Sequence, residues 1–248
     1  MYHQNNTYMK NILIPSTLEP DTINAVKIAI QQSKGKKCTL FLVLAEEIPD
    51  THSSATFLRS MKSEMTVSQK KVLEYCRELI TISQNCTLKI HYQYGISAPL
   101  MRNLIQHLEI ELAILTPSYR KTERKIHNQF VQILNNCKCP ILHLSSNCEE
   151  YDLTKAMYLK QSKSKLQPED LQELIPNHFD FKIVSLATDF NDQNPEDLKS
   201  SLNEAIVKNK IDLLIETRKP KKIKLKNKNT NTNENFDLPI LSLYERVL

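Results

Sequence analysis

The sequence predicts an α/β protein built from two consecutive parallel-sheet domains, the second a shortened copy of the first. Short, continuous apolar runs alternate with amphipathic stretches at helical spacing, the pattern of strands buried on both faces by covering helices. Strand-like segments of the first half recur in the same order about 100 residues later. A polar segment, Ser146 to Asp152, separates the halves and sets the domains at residues 1–148 and 149–248.

Asn11-Ile12-Leu13-Ile14-Pro15 is the first strand, closed by its proline. Pro20 and Asp21 open a helix with Ile23, Val26, Ile28 and Ala29 at helical spacing. Thr39 to Ala45 is the second strand, and Val67 to Ile82 a longer helix presenting Val72, Tyr75, Cys76, Leu79 and Ile80. Leu88 to Tyr92 alternates as a third strand, and Ala98 to Leu108 is helical. Leu112 to Leu115 is a fourth strand. Ile126, Phe130, Ile133 and Leu134 mark another helix, and Pro140 to Leu144 is the last strand of the half.

In the second half, Ile211 to Thr217 repeats Ile110 to Thr116, Pro239 to Leu243 repeats Pro140 to Leu144, and Phe181-Lys182-Ile183 repeats Leu88-Lys89-Ile90. Lys155 to Leu159 resembles the first strand. Between the first and third strands the second copy is shorter by about 50 residues, the size of one strand and its helix. It keeps a short helix (Pro168 to Ile175), a helix from Pro195 to Lys208 and four strands.

Composition narrows the chemistry. The chain has only two glycines, Gly35 and Gly95, against the roughly 17 of an average composition. Phosphate-cradling loops use glycine for close backbone approach and positive φ, so no P-loop or GxGxxG fingerprint is present. The six cysteines read as free, mostly buried thiols, and Cys137 and Cys139 lack the partner pair a zinc site needs. No apolar run is long enough for a membrane span, and the polar N-terminus lacks a signal-peptide core, so the expectation is a cytoplasmic protein without metal or cofactor. None of the seven histidines stands in a nucleophile context. Asp189 and Asp192 read as a polar loop before the helix at Pro195.

Charge is uneven. Arg218, Lys219, Lys221, Lys222, Lys224, Lys226 and Lys228 crowd together without an acid and alone exceed the net charge of +5. The rest of the chain is therefore net negative, and nucleic acid is not an expected partner. This run and the polar Asn227 to Asn235 read as a basic, solvated loop.

These residues resemble the universal stress protein family in its tandem two-domain form, with a degenerate second domain. Met9-Lys10-Asn11-Ile12-Leu13-Ile14-Pro15-Ser16 resembles the family's first strand, and Asn136-Cys137-Lys138-Cys139-Pro140-Ile141-Leu142 its approach to the last. The resemblance implies Rossmann-like domains of the adenine nucleotide alpha hydrolase-like type. It also implies pairing through the last strands, here as an intramolecular pseudo-dimer of Pro140–Leu144 with Pro239–Leu243, with further homodimerisation open. ATP-binding members carry an Asp just after the first-strand Pro and a glycine loop after the fourth strand. Here Thr17 stands for the Asp, Thr116 and Tyr119 for the first glycines, and His127 and Asn128 for the closing Gly-Ser.

A doubly wound sheet places ligands at the carboxyl ends of its strands. The candidate cleft, read as vestigial, comprises Ser16, Thr17, Leu44, Ala45, Thr116, Ser118, Tyr119, His127 and Asn128. The expectation is a non-enzymatic stress or regulatory protein that does not bind ATP and acts through an unidentified protein partner. The alternative is a small-molecule or nucleotide-binding protein using that cleft. A hydrolase or transferase of the wider superfamily fits least, because the glycines and the acid are missing.

Overall fold

The computed structural model describes residues 10–33, 35–48, 65–146, 153–160, 164, 169–171, 179, 181–188, 195–219 and 237–245. Two compact units divide the chain after Ile133.

In the first unit, β1 (Lys10–Pro15) lies between β2 (Cys38–Glu46) and β4 (Ile110–Leu115), and β3 (Cys86–Tyr94) flanks β2. All three pairings are parallel, with Ile12 opposite Leu40 and Ile14 opposite Leu42. Ile12, Leu13, Ile14, Leu40, Leu42, Leu112, Ile114 and Leu115 are fully enclosed. Burying each such side chain stabilises the fold by about 1.5–3 kcal/mol. The helices are α1 (Asp21–Gln32), α2 (Val67–Ser83), α3 (Ala98–His107), a short α4 (Pro117–Lys121) and α5 (Lys125–Asn135). Their starts follow from local chemistry. Thr66 and Gln69 form a reciprocal capping box before α2, and Ser97 caps α3 with Pro99 in its first turn. Thr116 Oγ1 accepts from Tyr119 N at 3.3 Å and starts α4, where the sequence reading placed a loop.

The second unit contains β5 (Ile141–His143), β6 (Lys155–Lys160), β7 (Lys182–Thr188), α6 (Pro195–Asn209), β8 (Leu213–Arg218) and β9 (Ile240–Tyr244). Its strand order is β5-β9-β8-β6-β7. β9, β8, β6 and β7 are parallel, while β5 runs antiparallel to β9 with Leu142 opposite Leu241. Met157, Leu159, Leu202, Ile211, Leu214 and Ile240 form its core. The Asp212 carboxylate accepts from Thr154 N at 3.0 Å, Thr154 Oγ1 at 2.8 Å and Lys155 N at 2.9 Å, which ties the start of β8 to that of β6.

The shortening has a structural signature. By sequence β7 matches the third strand of the first half, yet it pairs directly with β6, the position β2 takes beside β1. With one strand and helix removed, a gap would leave unpaired backbone donors and acceptors on both neighbours. The remaining strand closes against β6 instead. Of the predicted helix Pro168–Ile175, residues 169–171 are helical and the others lie outside the described residues, as do Asp189 and Asp192.

One cation belongs to this frame rather than to the basic loop. Arg218 is the last residue of β8, and its guanidinium is turned inward. It donates through Nε to Asn135 O at 3.2 Å and through Nη2 to Cys137 O at 2.9 Å and Cys139 O at 2.5 Å. Nη1 donates to Ser242 O, and the Tyr244 ring lies 5.7 Å away. The planar fork satisfies carbonyls on the approach to β5 and on β9 together, which a lysine could not do. Burial pushes its pKa below the ordinary guanidinium value. Sequence pattern counted Arg218 with its lysine neighbours because charge spacing cannot reveal a strand end. Lys219 pairs with Glu245 at 3.2 Å. Lys221, Lys222, Lys224, Lys226 and Lys228 lie outside the described residues.

Removing that fork strands several buried carbonyls, each costing about 1–3 kcal/mol when left unsatisfied. Arg218→Ala is therefore expected to lower stability by about 3 kcal/mol in urea unfolding, and Arg218→Lys to recover only part of it. A change within experimental error in Arg218→Ala would contradict the role.

Candidate functional site

The candidate cleft lies in the first unit, where β1 and β2 end. It has a volume of about 390 Å³. Ser16 and Thr17 follow β1; Leu44, Ala45 and Glu46 end β2; Gln69 comes from α2, Ser118 from α4 and His127 from α5. Leu18, Glu19, Met65, Tyr92, Thr122 and Arg124 complete the lining. Of the residues expected from sequence, Ser16, Thr17, Leu44, Ala45, Ser118 and His127 come together here. Thr116 and Tyr119 lie beneath the surface, and Asn128 is exposed on α5 outside the lining.

Local hydrogen bonds fix the turn after β1. Ser16 Oγ accepts from Leu18 N at 2.8 Å and shares a hydrogen bond with Thr22 Oγ1 at 2.8 Å. This holds Leu18 at φ 59 although it is neither glycine nor asparagine. Such a backbone costs of order 1–2 kcal/mol and persists only where its surroundings impose it. Thr17 Oγ1 is buried without a hydrogen-bond partner among the described residues, while Gln69 Nε2 donates to Thr17 O at 3.1 Å.

The opposite wall is built on α4. Its leading amides are a natural anion seat. Here the Asp21 carboxylate fills it, accepting from Ser118 N at 2.8 Å and from Ser118 Oγ at 2.7 Å. Tyr119 N is taken by Thr116 Oγ1 and Arg120 N by Thr116 O at 3.2 Å. The first amides of α4 are thus spoken for from within the chain.

Tyr119 does not project into the cleft, as its position in the glycine loop had suggested. Its ring is fully buried, 4.7 Å from the His127 ring and 5.9 Å from Phe130 in an edge-on arrangement. Burial keeps the phenol protonated, its pKa well above the ordinary tyrosine value. Because α4 is helical, the third residue after Thr116 turns toward the core instead of the rim.

His127 is neutral for the same reason. Burial lowers its pKa, and Arg124 pushes the same way, while the Ala45 carbonyl opposes both. That carbonyl can only accept, so Nε2, 3.2 Å away, carries the proton, and Nδ1 accepts from Thr122 Oγ1 at 3.4 Å. Arg124 Nη2 donates to Glu46 Oε2 at 2.7 Å, so among the described lining residues the one Arg or Lys is already paired with an acid. Glu19 adds another acid, leaving the lining net negative.

Sequence reading missed Glu46, Arg124, Gln69 and Tyr92. Gln69 carried a signal, the Thr66-x-x-Gln69 box that starts α2 beside the cleft. The Glu46–Arg124 pair joins the end of β2 to the residue before α5, far apart in sequence, and had none. Among the described residues, no group of three or more His, Cys, Asp or Glu could hold a metal ion. Among them, too, no helix is long and apolar enough to cross a membrane.

No protein-family model matches the sequence, and comparison with curated proteins finds no match. Solved structures do match. A universal stress protein from Archaeoglobus fulgidus DSM 4304 shares 9% identity over 97% of this chain and 98% of its own, with a TM-score of 0.57. A universal stress protein from Lactobacillus plantarum shares 19% identity over 54% of this chain and 96% of its own, with a TM-score of 0.36. On the archaeal comparison, the chain has the α/β fold of a universal stress protein.

The His127 environment gives a pH test. A histidine held neutral in the fold has a folded pKa below its unfolded value near 6.5. The unfolded chain then binds more protons between those two values, so stability falls as pH drops below 6.5 and levels off beneath the folded pKa. Urea midpoints at about pH 7.5 and about pH 5.5 should differ, and His127→Gln should shrink the difference. An equal pH response in the variant would remove His127 from the account.

Proposed function

We propose that this protein is a non-catalytic regulatory protein of the universal stress type that does not bind ATP and acts through contacts with another protein. The observation that carries the reading is the Asp21 carboxylate on the Ser118 amide and hydroxyl. A polyphosphate would have to displace an anion that is part of the chain. It would also face a net negative lining in which Arg124 is held by Glu46 and His127 is neutral. Ribose recognition is weakened as well, because Thr17 offers a hydroxyl where a carboxylate acceptor is expected. The hydroxyls that meet a base in the cleft, Ser118 Oγ on Asp21 and Thr122 Oγ1 on His127, read as bonds that fix its walls, in keeping with a non-catalytic role. The antiparallel β5–β9 pair supports reading the two last strands as the internal counterpart of a dimer seam.

A second reading rests on one atom. The buried, unpartnered Thr17 Oγ1 at the cleft favours an uncharged ligand that supplies a hydrogen bond there. A thermal-shift screen of uncharged metabolites separates the two readings, since only the second expects a saturable rise that Thr17→Val abolishes.

Isothermal titration of the full chain with millimolar magnesium–ATP is expected to give no saturable heat. Binding in the micromolar range would overturn the leading reading.

A further inference from the structure

The cleft uses the carboxyl ends of the strands in the first unit. At the opposite ends of β2 and β3 a second group of reactive side chains meets. Cys38 and Cys86 are the first residues of adjacent parallel strands and are Cα partners in the register. Neighbouring strands lie about 4.8 Å apart, inside the roughly 4.4–6.8 Å span of Cα separations that disulfides bridge. Side chains of register partners leave the sheet on the same face, and these two thiols are within hydrogen-bonding reach of each other. Cys86 Sγ also lies 3.8 Å from Ser33 Oγ, at the end of α1.

The pair is asymmetric. Cys38 is 2% exposed, whereas Cys86 is only partly covered and open to a small solute. Lys10, whose Nζ donates to Gln32 O at 2.9 Å, is buried beside Cys38 and favours negative charge there, against Glu111, which opposes it. Burial and the neighbouring Cys86 push the Cys38 thiol up to about 12. Cys76 is also raised, to about 11, by burial alone. No comparable thiol partner accompanies it among the described residues.

We propose that Cys38 and Cys86 form a redox-responsive dithiol, with Cys86 the thiol attacked first and Cys38 the resolving thiol, and hydrogen peroxide as the oxidant. The Cys86 thiolate attacks one peroxide oxygen and breaks the O–O bond, giving Cys86 sulfenic acid and hydroxide, which takes up a proton to become water. The Cys38 sulfur then attacks the Cys86 sulfur. The S–O bond breaks, and the departing hydroxide accepts the Cys38 proton as water. The two thiols have lost two electrons together to the peroxide, and a covalent bond joins the starts of β2 and β3. Disulfide exchange with an oxidised low-molecular-weight thiol would reach the same product. This inference is independent of the cleft and stands whether or not ATP binds.

The test uses the full reduced chain treated with near-stoichiometric hydrogen peroxide, quenched, then unfolded in denaturant with an alkylating agent so that buried thiols also react, digested without reductant and mapped by mass spectrometry. The expected product is a cross-linked peptide joining Cys38 to Cys86, reversed by dithiothreitol, with loss of both alkylatable thiols. In Cys38→Ser, Cys86 should accumulate as a dimedone-reactive sulfenic acid, whereas in Cys86→Ser, Cys38 should stay alkylatable. If both thiols of the wild-type chain remain alkylatable, or if the first disulfide joins other cysteines, the proposal fails. The wild-type mapping decides the matter even if a variant does not fold.

Discussion

The strand-end chemistry of this chain depends on a shortage of glycine. A backbone that must turn tightly without glycine either accepts a strained residue or builds a capped turn that needs none. Both solutions occur. Leu18, Gln84, Glu109 and Lys210 take positive φ, the last three at or just beyond the ends of α2, α3 and α6, where glycine is the usual choice. After β4 the chain takes the other course: Thr116 caps a short helix, and Asp21 reaches from α1 to fill its leading amide. A phosphate-binding turn needs bare backbone amides. Here the side chains that make the turn also occupy those amides.

The rest of the cleft follows from that turn. Helical geometry at α4 sends Tyr119 into the core, where it meets His127 and Phe130. The buried ring helps to exclude water from His127, which keeps the imidazole neutral and leaves Nε2 to the Ala45 carbonyl. With His127 uncharged and Arg124 committed to Glu46, the described residues of the lining offer no free cation with which to hold an anion.

Much of the fold was legible because it is written in period and repetition. The apolar runs of β1, β2 and β4 and the helical spacing of α1 and α2 marked those elements closely, and the recurrence of Ile110–Thr116 as Ile211–Thr217 exposed the second half. What pattern could not show was which strand fills a vacated place. β7 resembles the third strand in sequence, but backbone pairing put it beside β6. The cleft was half legible. Residues adjacent to strand ends, such as Ser16, Thr17 and Ala45, follow from topology alone. Glu46 and Arg124 meet only in three dimensions, and Asn128 lies on an exposed face of α5, which its place after His127 does not reveal. Arg218 was misread because its lysine neighbours masked a strand end whose guanidinium is turned toward carbonyls rather than solvent.

The central claim is that the α4 amides are already taken by Asp21 and Thr116, so polyphosphate finds no seat. Backbone amide shifts of Ser118 and Tyr119, followed by NMR while magnesium–ATP is added to the millimolar range, test it most directly. The account predicts that both resonances stay in place, because their acceptors lie within the chain. Saturable movement of the two together would show the nucleotide displacing Asp21 and would contradict it.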